Sequence, residues 1–306
     1  MKRIIDRLKH VHWAQLLGKT FLYVLLINLA FVFLYPFFYM IITSLKSPQD
    51  ISDITVNWLL NSVHIQNFKL AFNSLDYVPA LLRTVFLVII CSLGHIFSCS
   101  LVGYGFARFE FKGKGFFFVL LLMSIIVPLQ TIIVPQYMLF ATLGLSASYL
   151  SIILPTWLGF GLSGGLFIFI FRQFYLSLPR SLEEAASIDG CGILQTFIKI
   201  AFPASRSSMI VCLVLSLVWH WNDYFEPSIY ITESSQFLLP MQLPSLYKLM
   251  QSTGGTDAIT GVIDNIYTEG VAMAATTLVV LPMLIMYFFL QKQFVLGVER
   301  SGITGE

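Results

Sequence analysis

Six long apolar stretches constrain this chain more tightly than any other feature. They lie at about 20–44, 82–107, 115–143, 148–171, 205–232 and 269–291. A helix needs roughly 20 mostly apolar residues to cross a bilayer. In lipid every backbone N–H and C=O must find its partner within the protein, and a helix achieves this within one segment. The windows therefore predict an all-α membrane protein with six transmembrane helices. Composition agrees where it decides: 57% of the 306 residues are hydrophobic and 11% charged, more apolar surface than one soluble core can bury. Pro36, Gly94, Pro128, Pro135, Pro155 and Pro282 fall inside the windows. Neighbouring helices can re-satisfy the backbone groups they free.

An even number of spans puts both termini on one side. Lys and Arg decide which side, because they concentrate in cytoplasmic loops. With the N-terminus inside, the outer loops hold only Lys46, Lys69, Arg83 and Lys248 of the 18 Lys and Arg residues. Both termini are thus expected in the cytoplasm. The basic N-terminus runs into a long apolar stretch without a small-residue cleavage site, so the first span is expected to be retained. The chain then divides into a cytoplasmic segment, 1–19, a six-helix membrane domain, 20–291, and a cytoplasmic tail, 292–306. Of the outer loops, 45–81 and 233–268 are long, and the second contains "QSTGGTDAITGVID", whose Gly and Thr predict flexibility. The four cysteines, Cys91, Cys99, Cys191 and Cys212, show neither a disulfide framework nor metal-ligand spacing. A net charge of +2 is too small to imply a nucleic-acid partner.

The largest inner loop, about 172–204, carries "SLEEAASIDGCG" at 181–192. Pro179 ends the preceding helix, and Ser181 with Glu184 makes a capping-box pattern that starts a new one. Gly190 can adopt φ > 0 at little cost and turn the chain, and Asp189 can cap the helix after it. That next segment places Ile193, Phe197, Ile200 and Ala201 on one stripe, and Pro203 ends or kinks it. Two short helices at a sharp angle should lie on the inner membrane surface. Spacing alone leaves two readings open, a well-capped surface loop or a docking element. Glu184 fits both.

Longer matches favour docking. "EEAASIDGCGILQTFIKIAFP" resembles the EAA loop of the membrane subunits of ABC importers, through Glu184, Ala185, Ala186, Asp189, Gly190, Phe197, Ile200 and Pro203. "LPRSLEEAASIDG" is especially similar to the maltose-type branch of sugar permeases. "SLKSPQDI", "GYGFARFEFKGKG", "PLQTIIVPQYMLFATLGL", "WNDYFEP" and "QKQFVLGVERSGITG" extend the likeness over nearly the whole chain. Two departures stand out. Cys191 replaces the usual Ala, and "PASRSS" lacks the second proline that often comes after Pro203.

The resemblance implies a coupling-helix loop that docks in a groove of a separate ATPase, with Glu183, Glu184, Ala185, Ala186, Asp189 and Gly190 as its coupling residues. It also implies a bacterial plasma (inner) membrane and a set of partners. These are a homologous second permease subunit, an ATP-binding subunit dimer, an extracytoplasmic sugar-binding protein and the surrounding lipid. ATP and Mg would sit on the ATPase. This sequence has no G-x-x-x-x-G-K-[ST], H-E-x-x-H or G-x-S-x-G, so no catalytic residue, metal site or cofactor is assigned to it.

Sugars are held by aromatic faces and planar hydrogen-bonding side chains, and polar groups inside spans are costly to place there. Candidates for a sugar path are Gln130, Gln136 and Tyr137 in the third window and Trp157 in the fourth. "WHWNDYFEP" in the fifth adds Trp221, Asn222, Asp223 and Glu226, with Trp219 and Tyr224 beside them. Each has a simpler alternative, because Trp and Tyr anchor spans at interfaces and Gln or Asn bond between helices. His95 and His220 are expected to bond within the bundle. In the related maltose system the partner permease makes most sugar contacts. The expected function is the permease of an oligosaccharide importer. A permease for a peptide or glycerol phosphate is the nearest alternative. A secondary transporter would call for an inverted repeat and a mid-membrane carboxylate, and no repeat is visible. A structural membrane subunit would leave the EAA pattern without a purpose.

Overall fold

The computed structural model describes residues 13–53, 58, 60–253 and 268–302, and among these all regular structure is helical. The principal helices are α1 (Trp13–Ser44), α2 (Gln66–Ser74), α3 (Tyr77–Arg108), α4 (Lys114–Ile126), α5 (Leu129–Thr142) and α6 (Leu150–Trp157). They continue with α7 (Gly164–Ser177), α8 (Ser181–Ile188), α9 (Arg206–Asn222), α10 (Phe225–Tyr230), α11 (Leu239–Thr253) and α12 (Glu269–Gly302). Residues 1–12 and most of "QSTGGTDAITGVID" lie outside the described residues.

Among the described residues, three helices are long and apolar enough to cross a bilayer unbroken: Leu17–Ser44 of α1, all of α3, and Glu269–Lys292 of α12. The third, fourth and fifth windows are not single helices, which corrects the expectation from hydropathy. Between α4 and α5 the axis bends by 105°. Val127 is extended (φ −69°, ψ 119°), because the ring of Pro128 disfavours helical backbone in the residue before it. In the fourth window α6 stops at Trp157. Gly159 (φ +75°), Gly161 (φ +98°) and Ser163 (φ +61°) then turn the chain before α7. In the fifth, Asp223 is extended (ψ 114°) and separates α9 from α10. The segment Ile193–Ala204 also meets α9 at 75°. Counting each bent pair as one span gives up to five. At the other end α12 continues unbroken past residue 292, so no change of structure marks the expected start of the tail.

The chain forms two compact units, residues 1–71 with 253–277 and residues 72–252 with 278–306. In the first, α1 exposes apolar side chains along its length, including Phe21 at 71% and Phe33 at 72%, a surface suited to lipid. Its C-terminal end leads into a polar knot. Ser47 Oγ accepts from the Asp50 N–H (3.1 Å), and Asp50 Oδ1 accepts from Asn61 Nδ2 (2.8 Å). Asn67 Nδ2 donates to the carbonyls of Ser44 (3.0 Å) and Lys46 (2.8 Å). A Cβ on Gly270 would meet Asn67 Nδ2 at 2.6 Å, so glycine permits this approach. Burial pushes the Asp50 carboxyl up, but hydrogen bonds from Asn61, Ser47 and the Ser62 backbone outweigh it and hold it below the ordinary range.

In the second unit α3 packs against α6, α7 and α9. Close contact depends on missing side chains: a Cβ on Gly103 would meet Phe171 Cβ at 2.8 Å, and one on Gly94 would meet Trp157 Cδ1 at 2.5 Å. The core around Cys99, Phe167, Phe171, Tyr175 and Cys212 is fully buried. Polar groups inside it find one another, as burial demands. Ser100 Oγ and Tyr175 Oη are 2.6 Å apart, and Tyr175 Oη also donates to Ser205 Oγ (3.3 Å). His95 bonds Ser216 Oγ and the Phe160 carbonyl (both 3.3 Å), and His220 Nδ1 lies 2.9 Å from the Ser216 carbonyl. Both histidines thus bond within the bundle, as the sequence suggests.

Candidate functional site

The acidic loop folds as a short helix with two unlike faces. Arg180 already has helical angles (φ −64°, ψ −26°), so Ser181 is the first residue of α8 and makes no capping bond. An N-cap residue needs non-helical backbone. The chain enters the helix one residue too early for the capping box expected of Ser181 and Glu184. The N–H groups of Glu183 and Glu184 instead both donate to the Arg180 carbonyl (3.0 Å each). The two carboxylates still lie in the first turn, where the helix dipole favours anions. Gly190 has φ +82° with open space around its Cα, as expected. Asp189 terminates α8 rather than capping the next helix. The Gly192 N–H donates to Gln195 Oε1 (3.3 Å) and opens the next turn, Ile193–Thr196. A π-helical turn, Phe197–Ala201, then buries Phe197 and Ala201. Ile193 is 66% exposed, so the expected stripe does not include it.

The inner face of α8 is tied to α3. Glu183 Oε1 accepts from Arg108 Nε at 2.7 Å, with side-chain exposures of 18% and 6%. Arg108 Nη2 donates to the Leu178 carbonyl, also at 2.7 Å. Ala186 is buried, and the ring of Phe197 lies 5.3 Å from that of Tyr104. Glu183 and Ala186 therefore face the bundle, unlike their neighbours Glu184 and Ala185. The outer face carries Glu184, Ala185, Asp189 and Gly190, all exposed. Around them stand Leu182 (45%), Ile188 (86%) and Leu194 (59%). Exposed apolar side chains thus stand beside carboxylates on this outer face.

A second constellation surrounds the break between α6 and α7. A hollow of about 430 Å³ is lined by Gln136, Pro155 and Phe160, and one of about 560 Å³ by Gln130, Phe160 and Ser163. A third, about 370 Å³, is lined by Leu162, Ser163, Trp219, Asn222 and Asp223. The first two share Ile132 and Phe160, and the last two share Leu162 and Ser163, so the three adjoin. Gln136 lines the first hollow, Gln130 the second, and Asn222 and Asp223 the third. Asn222 Nδ2 donates to the Val218 carbonyl (2.9 Å), while Asp223 Oδ1 accepts from the N–H groups of Phe225 (3.0 Å) and Glu226 (3.3 Å).

The other four path candidates do not line these hollows. Trp157 Nε1 donates to the Ile90 carbonyl (3.1 Å) and its ring lies on Gly94. Tyr137 stacks on Tyr230, with centroids 6.1 Å apart. Trp221 and Glu226 are buried in the bundle, at 5% and 2% exposure. Sequence reasoning missed Arg108 and Phe160. Arg108 had a signal, as the only cation in "GYGFARFEF" before the chain leaves the membrane. Phe160 had none, because only folding brings its backbone to His95. Among the described residues no group of three or more His, Cys, Asp or Glu is placed to hold a metal ion.

Known proteins resemble this chain in sequence and fold. The chain is 28% identical over 290 residues to the probable ABC transporter permease protein YurM of Bacillus subtilis (strain 168), covering 94% of this chain and 90% of the relative. It is 28% identical over 280 residues to the arabinooligosaccharides transport system permease protein AraQ of the same organism, covering 90% and 92%. Its fold matches a chain in the crystal structure of a bacterial ABC transporter involved in the import of the acidic polysaccharide alginate. That match has a TM-score of 0.76 at 21% identity and covers 93% of this chain and 99% of that one. The family model described as "Binding-protein-dependent transport system inner membrane component" matches residues 99–300, well over half of the chain. With the helical membrane fold and the exposed acidic loop already in place, that match settles the family: the chain is an inner membrane component of a binding-protein-dependent transport system, the non-catalytic permease subunit of an ABC importer.

Proposed function

We propose that this chain is one half of a heterodimeric permease that admits an oligosaccharide across a bacterial plasma membrane. Its topology is six spans with both termini cytoplasmic, the broken third to fifth windows each counting as one. The dividing points 19/20 and 291/292 then separate the membrane domain from the cytoplasmic ends. The partners are a second permease of the same family, a pair of ATPase subunits holding ATP and Mg, and an extracytoplasmic binding protein. The sugar reading is supported by the arabinooligosaccharide permease to which the chain is similar along nearly its whole length.

The observation that carries the mechanism is the two-sidedness of α8. Its outer face offers Glu184, Ala185, Ile188 and Asp189 to the ATPase, and its inner face is fastened to the end of α3 through Glu183 and Arg108. When the ATPase pair closes on ATP it moves α8, and the short, largely buried ion pair passes that movement to α3. Because α3 packs directly on α6, α7 and α9, a shift there changes the walls of the three hollows. Gln130, Gln136, Asn222 and Asp223 are the residues of this chain that border the sugar path. Hydrolysis is thereby converted into opening without any catalytic group on this chain.

The test is reconstitution of the assembled complex in liposomes with its binding protein. Neutral and acidic oligosaccharides, peptides and glycerol phosphate are added in turn. The reading predicts that ATP hydrolysis rises several-fold with one class of oligosaccharide and with no peptide. Stimulation by peptide alone would contradict it.

A further inference from the structure

The segment that joins the acidic loop to α9 is poorly built to transmit a push by itself. It runs through an α-helical turn, Ile193–Thr196, a π-helical turn, Phe197–Ala201, and a last short turn, Phe202–Ala204. Each change of hydrogen-bond register interrupts the continuous ladder that stiffens a helix. The segment then meets α9 at 75°, and the residue at the corner is Ser205 (φ −76°, ψ 15°). After Pro203 the next proline is Pro227, so no ring fixes the backbone at this corner. Left unsupported, the joint would bend and absorb a movement of α8.

A buried chain of hydroxyls ties the corner to two other helices. Ser100 of α3, Tyr175 of α7 and Ser205 are each 0% exposed. Ser205 Oγ spends its one hydrogen on the Phe202 carbonyl (2.7 Å) and accepts from Tyr175 Oη (3.3 Å). The Tyr175 hydrogen is thereby spent as well, so Ser100 Oγ, 2.6 Å away, is the donor to Tyr175 Oη. The bonds run in one direction, from Ser100 to Tyr175, to Ser205, to the Phe202 carbonyl. Hydrogen bonds in such a chain reinforce one another, and a break leaves a buried hydroxyl unsatisfied. The Tyr175 ring is held independently, edge-on to Tyr104 (5.3 Å) and stacked on Phe171 (6.4 Å). Its hydroxyl bonds are therefore not needed to seat the side chain.

We propose that Tyr175 is a positioning residue for transport. Its hydroxyl latches the Ser205 corner to Ser100, so that a movement of α8 reaches α3 and α9 together instead of bending the joint between them. The inference rests on the reading of α8 as the ATPase contact and adds a second attachment to that made by Glu183 and Arg108. Arg108 and Ser100 lie about two helical turns apart on α3. Two attachments along one helix fix the angle of the coupling segment as well as its distance.

The experiment uses the whole importer with its binding protein in liposomes and measures labelled arabinotriose, maltotriose or lactose taken up per ATP hydrolysed. Thermal unfolding of the same preparations is followed beside it. Tyr175→Phe removes both hydroxyl bonds and keeps the ring. Transport per ATP should fall roughly three- to tenfold, the size of one neutral hydrogen bond, while the ATPase and the second permease stay bound. Ser205→Ala breaks the chain at the corner alone and should show a similar loss. The double variant should be little worse than either single one, because both cut the same chain. Wild-type transport per ATP in Tyr175→Phe would overturn the proposal even with a lowered unfolding temperature, since bonds that serve packing alone would give that result. Additive losses in the double variant would overturn it too. Should Tyr175→Phe fail to assemble, Ser205→Ala decides, and normal transport per ATP there rejects the latch. A wild-type complex that hydrolyses ATP yet takes up none of these sugars would be a different failure, that of the sugar-importer reading. Full transport by Glu184→Lys would count against α8 as the ATPase contact.

Discussion

Breaking the link between Arg108 and Glu183 should uncouple the ATPase from the membrane helices. The pair is short, 2.7 Å, and largely buried, and the Arg108 side chain has one further acceptor, the Leu178 carbonyl. Removing one partner of a buried pair costs about 3–5 kcal/mol, because the other charge is left uncompensated. Glu183 retains 18% exposure, so some water can reach it, and about 2–3 kcal/mol is the appropriate figure for Arg108→Ala. Glu183→Gln keeps an acceptor but exchanges a charged hydrogen bond for a neutral one, a loss of about 1–1.5 kcal/mol. On a coupling of this size, about 1.4 kcal/mol corresponds to a tenfold change in the population of the linked state. Sugar transported per ATP hydrolysed, measured in liposomes, should therefore fall severalfold in Glu183→Gln and further in Arg108→Ala. Both proteins should remain inserted and paired with the second permease. A double-mutant cycle supplies the control, since two residues in direct contact should be non-additive by at least about 1 kcal/mol. Additive effects, or wild-type stoichiometry in Glu183→Gln, would refute the proposed transmission.

The same geometry sets three further outcomes. Gly190→Val places a β-branched residue at φ +82°, a cost of roughly 1–2 kcal/mol; with open space around the site, it should reorient α8 without unfolding the protein, and cysteine cross-linking yield between α8 and the ATPase should drop. Glu184→Lys puts a cation in the first turn of α8, where the dipole disfavours it, and on the exposed face; pull-down should recover less ATPase while the two permeases stay together. Asp50 is held below the ordinary carboxyl range, so it contributes stability above about pH 4 that is lost as pH falls through its folded value. Thermal unfolding tracked from pH 7 down to pH 3 should show a smaller acid-side decline in Asp50→Asn than in wild type.

Much of this protein is legible in its sequence, and what is not has physical causes. Hydropathy found the apolar segments but not their breaks, because a window average cannot distinguish a tolerated proline from a disruptive one. Pro36 and Pro282 sit inside continuous helices, whereas Pro128 lies at a 105° bend. Gly190 was readable, since a glycine after a short helix has few other purposes. The capping box was not, because Arg180 entered the helix first. Glu183 and Glu184 are adjacent and chemically alike, yet one turns to Arg108 and the other to solvent. Helical geometry separates them by about 100°, but only the placement of α3 determines which faces inward. The path candidates divided similarly: Gln130, Gln136, Asn222 and Asp223 line hollows that border the turn at Gly159–Ser163, a feature that a continuous fourth helix would have precluded.

The central claim is that the outer face of α8 is where an ATPase meets this permease. Ile188, 86% exposed at the end of that helix, is the position from which to test it. A photo-cross-linking side chain placed there, activated in membranes holding the whole importer with its binding protein, should give one principal adduct whose other half is the ATPase. Its yield should change when ATP is trapped. An adduct with the extracytoplasmic binding protein would reverse the orientation, and an adduct with lipid alone would reduce α8 to an exposed loop.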